Sequence, residues 1–170
     1  LGSSSGSSPT GNLYVCGNPG GEPALYRVPI TSNAIGTPLS VATLSTSTNT
    51  TLASSLCSPV TEFYNTSTST DWMFVGTAGT GNQTGCNSTS GCVYSFNATT
   101  ALPASVSTVT TVASAGIVAT SGSSGLIIDN IGATTSTVAN VYYSTLGNQS
   151  CTTSTGTGGC AVQATQSGLQ

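Results

Sequence analysis

The chain has 170 residues, enough for one domain with a real core, yet it carries one basic residue, Arg27, and four acids, Glu22, Glu62, Asp71 and Asp129, with no Lys and no His. One Arg cannot neutralise a run of phosphates, which excludes nucleic-acid binding. The longest apolar runs fall far short of the roughly 20 residues that cross a bilayer, which excludes membrane insertion by a helix.

Charged residues make up 3% of the chain, against about 25% in ordinary domains. Ser and Thr together supply about a third. The surface is therefore hydroxyl, amide and glycine, with little charge repulsion to hold molecules apart. Either sugars cover such a surface or the molecules associate.

Residues 1–12 open as LGSSSGSSPTG, a Gly/Ser-rich arm. The chain starts at Leu1 without Met or signal peptide, so it reads as a processed fragment. From Leu13 onward strand signals recur in a single all-β domain, 13–170. Each is a short run of Val, Tyr, Phe, Thr and Ile with alternating polarity, and none holds a helical period. The first group, about 13–45, contains LYVCG, ALYRVPI and PLSVATLS. A Ser/Thr connector follows. The second, about 56–114, contains LCSPVTEFY, DWMFVGT, CVYSFN and ASVSTVTTVAS. The third, about 125–170, contains GLIIDNI, ANVYYSTL and CAVQATQ. The middle group thus has four strands, the first lacks an opening strand and the third lacks a closing one. Trp72 and Tyr142 set a spacing of about 70.

Repeated groups of antiparallel strands read as stacked blade-like sheets, each too small to bury both faces alone. Where GLIID, VYYSTL and GCAVQ line up behind SPVTEFY, WMFVGT and GCVYSF, the chain resembles the propeller-like β repeats of large secreted bacterial proteins of unassigned function. The resemblance implies an incomplete β-propeller-like fold of three antiparallel sheets. The chain has too few blades to close a ring, and the resemblance implies no known activity. The alternative is a single β-sandwich.

Six cysteines without His point to disulfides and an oxidising compartment rather than to metal. Local spacing pairs Cys86 with Cys92 and Cys151 with Cys160, and elimination pairs Cys16 with Cys57. Six Asn-x-Ser/Thr sequons, at Asn49, Asn65, Asn82, Asn87, Asn97 and Asn148, are glycosylation candidates. Catalysis is not expected: a serine nucleophile lacks its His, the acids lie on four different elements, and no calcium loop or cofactor motif occurs. The aromatics, from Tyr14 to Tyr143, sit at strand positions and read mostly as core.

These features point to an extracellular, disulfide-bonded structural protein that polymerises head to tail with copies of itself and carries covalent glycans. An adhesin or carbohydrate-binding module from a larger secreted protein is the alternative. In the first reading an unfinished sheet edge is completed by the N-terminal arm of a neighbouring copy.

Overall fold

The computed structural model describes residues 10–18, 22–45, 56–80, 86, 91–103, 113–129, 139–151 and 156–166. These contain strands and no helix, arranged as antiparallel sheets, none of which closes on itself.

The first sheet contains β1 (Thr10–Gly17), β2 (Ala24–Thr31), β3 (Ala34–Ile35) and β4 (Leu39–Thr43). Strand β2 is central, with β1 on one edge and β3 and β4 sharing the other. The β2–β3 hairpin turns through Ser32 and Asn33, both at positive φ (51° and 65°). That is the geometry whose twist matches flanking strands, and Asn tolerates it well. Thr10, Gly11 and Asn12 pair with Thr31, Ile30 and Pro29 of the same chain. The last three residues of the expected arm thus belong to β1, and residues 1–9 lie outside the described residues.

The middle sheet is a four-strand meander of β5 (Thr61–Asn65), β6 (Thr70–Thr77), β7 (Gly91–Asn97) and β8 (Ala113–Ala119). Of the segment ASVSTVTTVAS expected to supply its fourth strand, Ala113 and Ser114 open β8, and residues 104–112 lie outside the described residues. The third sheet has β9 (Ile127–Asp129), β10 (Ala139–Ser144) and β13 (Ala161–Gln166), with β10 central. A small hairpin missing from the sequence reading, β11 (Gln149–Ser150) with β12 (Thr157–Gly158), extends the loop between β10 and β13.

The middle and third sheets repeat each other residue for residue. The β6–β7 pair Trp72↔Asn97 returns as Asn140↔Thr165 in β10–β13, each residue displaced by 68 (140 − 72, 165 − 97). Met73↔Phe96 and Val75↔Tyr94 return as Val141↔Ala164 and Tyr143↔Val162. The outer bridge Cys57↔Thr77 returns as Ser123↔Thr145. Hydrogen bonds repeat too: Gly76 N donates to Ser58 Oγ at 2.7 Å, and Ser144 N donates to Ser124 Oγ at 3.0 Å. The structural partner of Trp72 is therefore Asn140, two residues before the Tyr142 that the sequence suggests.

Side chains alternate across each strand, so each sheet presents two faces. One core joins the first and middle sheets: Leu25, Val41, Ala42 and Leu44 pack with Met73, Val75, Cys92, Tyr94 and Phe96. A second joins the middle and third: Phe74, Val93 and Ala119 pack with Leu126, Ala139, Val141 and Tyr143. Successive residues of β6 and β7 thus feed opposite cores. Burying each large side chain stabilises by roughly 1.5–3 kcal/mol. The Tyr94 hydroxyl donates to Leu44 O across the first core, satisfying a polar group that burial would otherwise penalise.

Candidate functional site

The cysteines form three disulfides, Cys16–Cys57, Cys86–Cys92 and Cys151–Cys160, with Cα separations of 6.1, 5.6 and 5.6 Å. These are the three pairs named from spacing and elimination. The first ties β1 to the segment leading into the middle sheet. The other two each tie a loop to the start of a repeated strand, Cys92 being the second residue of β7 and Cys160 the residue before β13. None of the cysteines is free, so no thiol nucleophile is offered.

The acids do not assemble into one centre. Glu62 and Asp71 do share a face, since Glu62 pairs with Met73 and Tyr64 with Asp71 across β5 and β6. Burial raises the Asp71 carboxyl above the ordinary carboxylate range, and the nearby Glu62 charge adds to the rise. Asp129 stands on the third sheet, opposite Asn140. Among the described residues no group of three or more His, Cys, Asp and Glu side chains could hold a metal ion. No helix among them is long and apolar enough to cross a membrane.

A polar recess of about 370 Å³ lies where β1 meets the middle sheet, lined by Asn12, Tyr14, Tyr64, Ser69, Asp71 and Thr99 among others. Tyr64 is 43% exposed at its rim. The Tyr14 hydroxyl accepts Leu102 N–H at 3.1 Å, and Thr99 Oγ1 accepts Asp71 N–H at 2.9 Å.

The sequons divide. Asn65 is only 4% exposed. Its Oδ1 accepts N–H from Ser67 at 2.9 Å and Thr68 at 3.3 Å, closing the β5–β6 turn. That placement makes Asn65 a turn former and leaves no room for a glycan. Asn97 and Asn148 are exposed. Asn49, Asn82 and Asn87 lie outside the described residues.

The two ends of the molecule are the remaining candidates. We call a sheet face upstream when it looks toward earlier sheets in chain order, and downstream when it looks toward later ones. The upstream face of the first sheet carries Leu13, Val15, Tyr26, Val28 and Ile30, with Ile35 opposite Ile30. Leu13 is 47% exposed and Val15 37%, and no charged residue stands among these six. The downstream face of the third sheet carries Ile127, Tyr142 and Gln163 in one cross-strand row. Ile127 is 69% exposed and borders an open groove of about 420 Å³, with Tyr142, Ser144, Ala161 and Gln163 among its other lining residues. Among the described residues no strand pairs with the outer edge of β1 or of β13.

Comparison with protein-family models, curated proteins and solved structures gives no match to this chain.

Proposed function

We propose that this protein is an extracellular structural subunit whose blade-like sheets stack into an open, self-assembling filament of copies of itself. The observation that carries the reading is the unfinished repeat. One kind of sheet-on-sheet contact is made twice within the chain, and each terminal sheet holds back the face that would make it again. Exposed sheet edges and apolar faces are normally blunted with Lys, Pro or acids. Here Leu13 and Val15 stand exposed with no charged residue on their row, and Ile127 stands exposed with the acid Asp129 two residues along on the same face. Three disulfides fit an oxidising, extracellular setting. With so few charges, glycans at the exposed Asn97 and Asn148 would supply solubility along the sides of the polymer. No catalytic or cofactor role enters this reading.

In the same reading the segment before β1 completes the edge of β13 in the neighbouring copy. Nine residues extended at about 3.3 Å each exceed the length of six-residue β13. The test is electron microscopy of the purified full chain beside a chain lacking residues 1–9. Filaments from the first and shorter or no filaments from the second are expected. Separate particles from the full chain at every concentration would overturn the function, and identical filaments from both would remove the arm from it.

A second reading, an adhesin or carbohydrate-binding module, is favoured by the recess at Tyr14, Tyr64 and Asp71. An exposed aromatic ring beside a carboxylate, an amide and hydroxyls is the chemistry that holds a sugar. Retention of the chain on a glycan array, lost in Tyr64→Ala, would support it.

A further inference from the structure

We propose that the downstream face of the third sheet seats the upstream face of the first sheet of a second copy, as a third instance of the junction already built twice within the chain. This rests on the reading that the chain self-assembles, and it names the surfaces that do so.

The internal repeat supplies the partner and the register. At the junction of the middle and third sheets, Phe74 and Val93 pack with Val141 and Tyr143. The 68-residue displacement carries Phe74 and Val93 onto Tyr142 and Ala161, which look out of the third sheet. Backwards, it carries Tyr94 and Phe96 of β7 onto Tyr26 and Val28 of β2 (94 − 26, 96 − 28). The cross-strand partners follow. Val75↔Tyr94 and Met73↔Phe96 correspond to Val15↔Tyr26 and Leu13↔Val28. The upstream face of the first sheet is thus built like the upstream face of the middle sheet, which is covered. It carries the same kinds of side chain, and among the described residues no sheet of its own chain lies before it. The third junction accordingly places Tyr142 and Ala161 of one copy against Leu13 and Val15 of the next.

One position marks the end of the stack. At the first junction Cys16 is bonded to Cys57. The equivalent of Cys16 in the middle sheet is Gly76, since Leu25, its pair, corresponds to Val93, the pair of Gly76. A Cβ on Gly76 would overlap Ser123 Oγ, and Ser123 is the counterpart of Cys57. In the third sheet this position is Ser144, which is exposed and borders the open groove. The two contacting faces differ, so the contact is head-to-tail and does not close on a pair.

Complementation by two blocked copies tests this. Leu13→Glu places a charge on the upstream face and Ile127→Glu on the downstream face, both at exposed positions. Each variant alone should sediment as a monomer, with a critical concentration raised about tenfold or more by an unpaired charge in a dry contact. Mixed, each still owns one intact face, so they should form a one-to-one dimer and stop. Val15→Glu with Gln163→Glu repeats the test at neighbouring sites. Retained disulfides and thermal midpoint check the fold. If all four variants assemble like the parent chain, the face assignment is overturned while self-assembly stands. If one variant alone dimerises, the contact is a face with itself and the assignment is again overturned. A parent chain that stays monomeric removes both this inference and the reading beneath it.

Discussion

The middle and third sheets share strand registers, outer bridge and disulfide position, yet their burial differs. From Met73 to Thr77 every residue of β6 is buried, whereas at the counterpart positions, Val141 to Thr145, buried residues alternate with half-buried Tyr142 and exposed Ser144. Among the described residues the middle sheet has a neighbouring sheet on each side and the third has one. Position in the stack, more than local sequence, decides how much each strand contributes to stability. Equivalent residues should therefore respond very differently to the same change.

The sharpest contrast is at Tyr94 and its counterpart Val162. Tyr94→Ala removes a fully buried ring and its bond to Leu44 O, and should cost about 3–5 kcal/mol. Val162→Ala, at a half-buried site, should cost only about 1 kcal/mol. Denaturant unfolding of both variants measures this. Equal losses would mean that Val162 is packed as tightly against the middle sheet as Tyr94 is against the first.

Disulfides offer the next contrast. Cys16–Cys57 closes 41 residues and Cys151–Cys160 closes nine. Chain entropy then makes the first worth about 4 kcal/mol and the second about 2.6 kcal/mol. Paired Cys→Ser variants should lower the thermal midpoint in that order, and the first should also loosen the first sheet from the middle one, seen as faster amide exchange in β1 and β2.

Gly76 and Ser144 sharpen the comparison at one atom. Gly76→Ala drives a methyl against Ser123 and should cost about 1–3 kcal/mol. Ser144→Ala in the isolated chain should change stability by less than about 0.5 kcal/mol.

The smallest expected effect comes from Asp71. Its folded-state pKa is raised, by burial first and by Glu62 second, so the native state holds the proton more tightly than the unfolded chain does. Stability from this group is then present below the ordinary Asp value and is lost as pH rises through the raised one. Asp71→Asn should flatten that part of the stability curve. A parent curve rising with pH across that range would contradict the assignment.

Much of the fold was legible because alternation and turn chemistry are local. WMFVGT and GCVYSF carry their own period, and the cysteine spacings confine two pairings to single loops. The fourth strand of the middle sheet was legible only in part. The described strand, β8 (Ala113–Ala119), takes only Ala113 and Ser114 from ASVSTVTTVAS, whose residues 104–112 lie outside the described residues. Packing selects it: Gly116 lies opposite buried Tyr94, and Ala119 lies so close to Gly91 that a Cβ there would meet Ala119 O at 2.5 Å. The small residues Gly116 and Ala119 admit that close approach. Asn65 misled for a related reason, because a sequon and a turn-forming Asn look alike until burial is known. The open faces were only partly legible. Leu13 and Val15 read as ordinary strand residues, and nothing local says that no sheet among the described residues packs on them.

Sedimentation velocity of the purified parent chain across a range of concentrations probes the open stack most directly. Species should grow in steps of the 16.6 kDa chain mass and lengthen without limit as concentration rises. A single 16.6 kDa species at every concentration would contradict it.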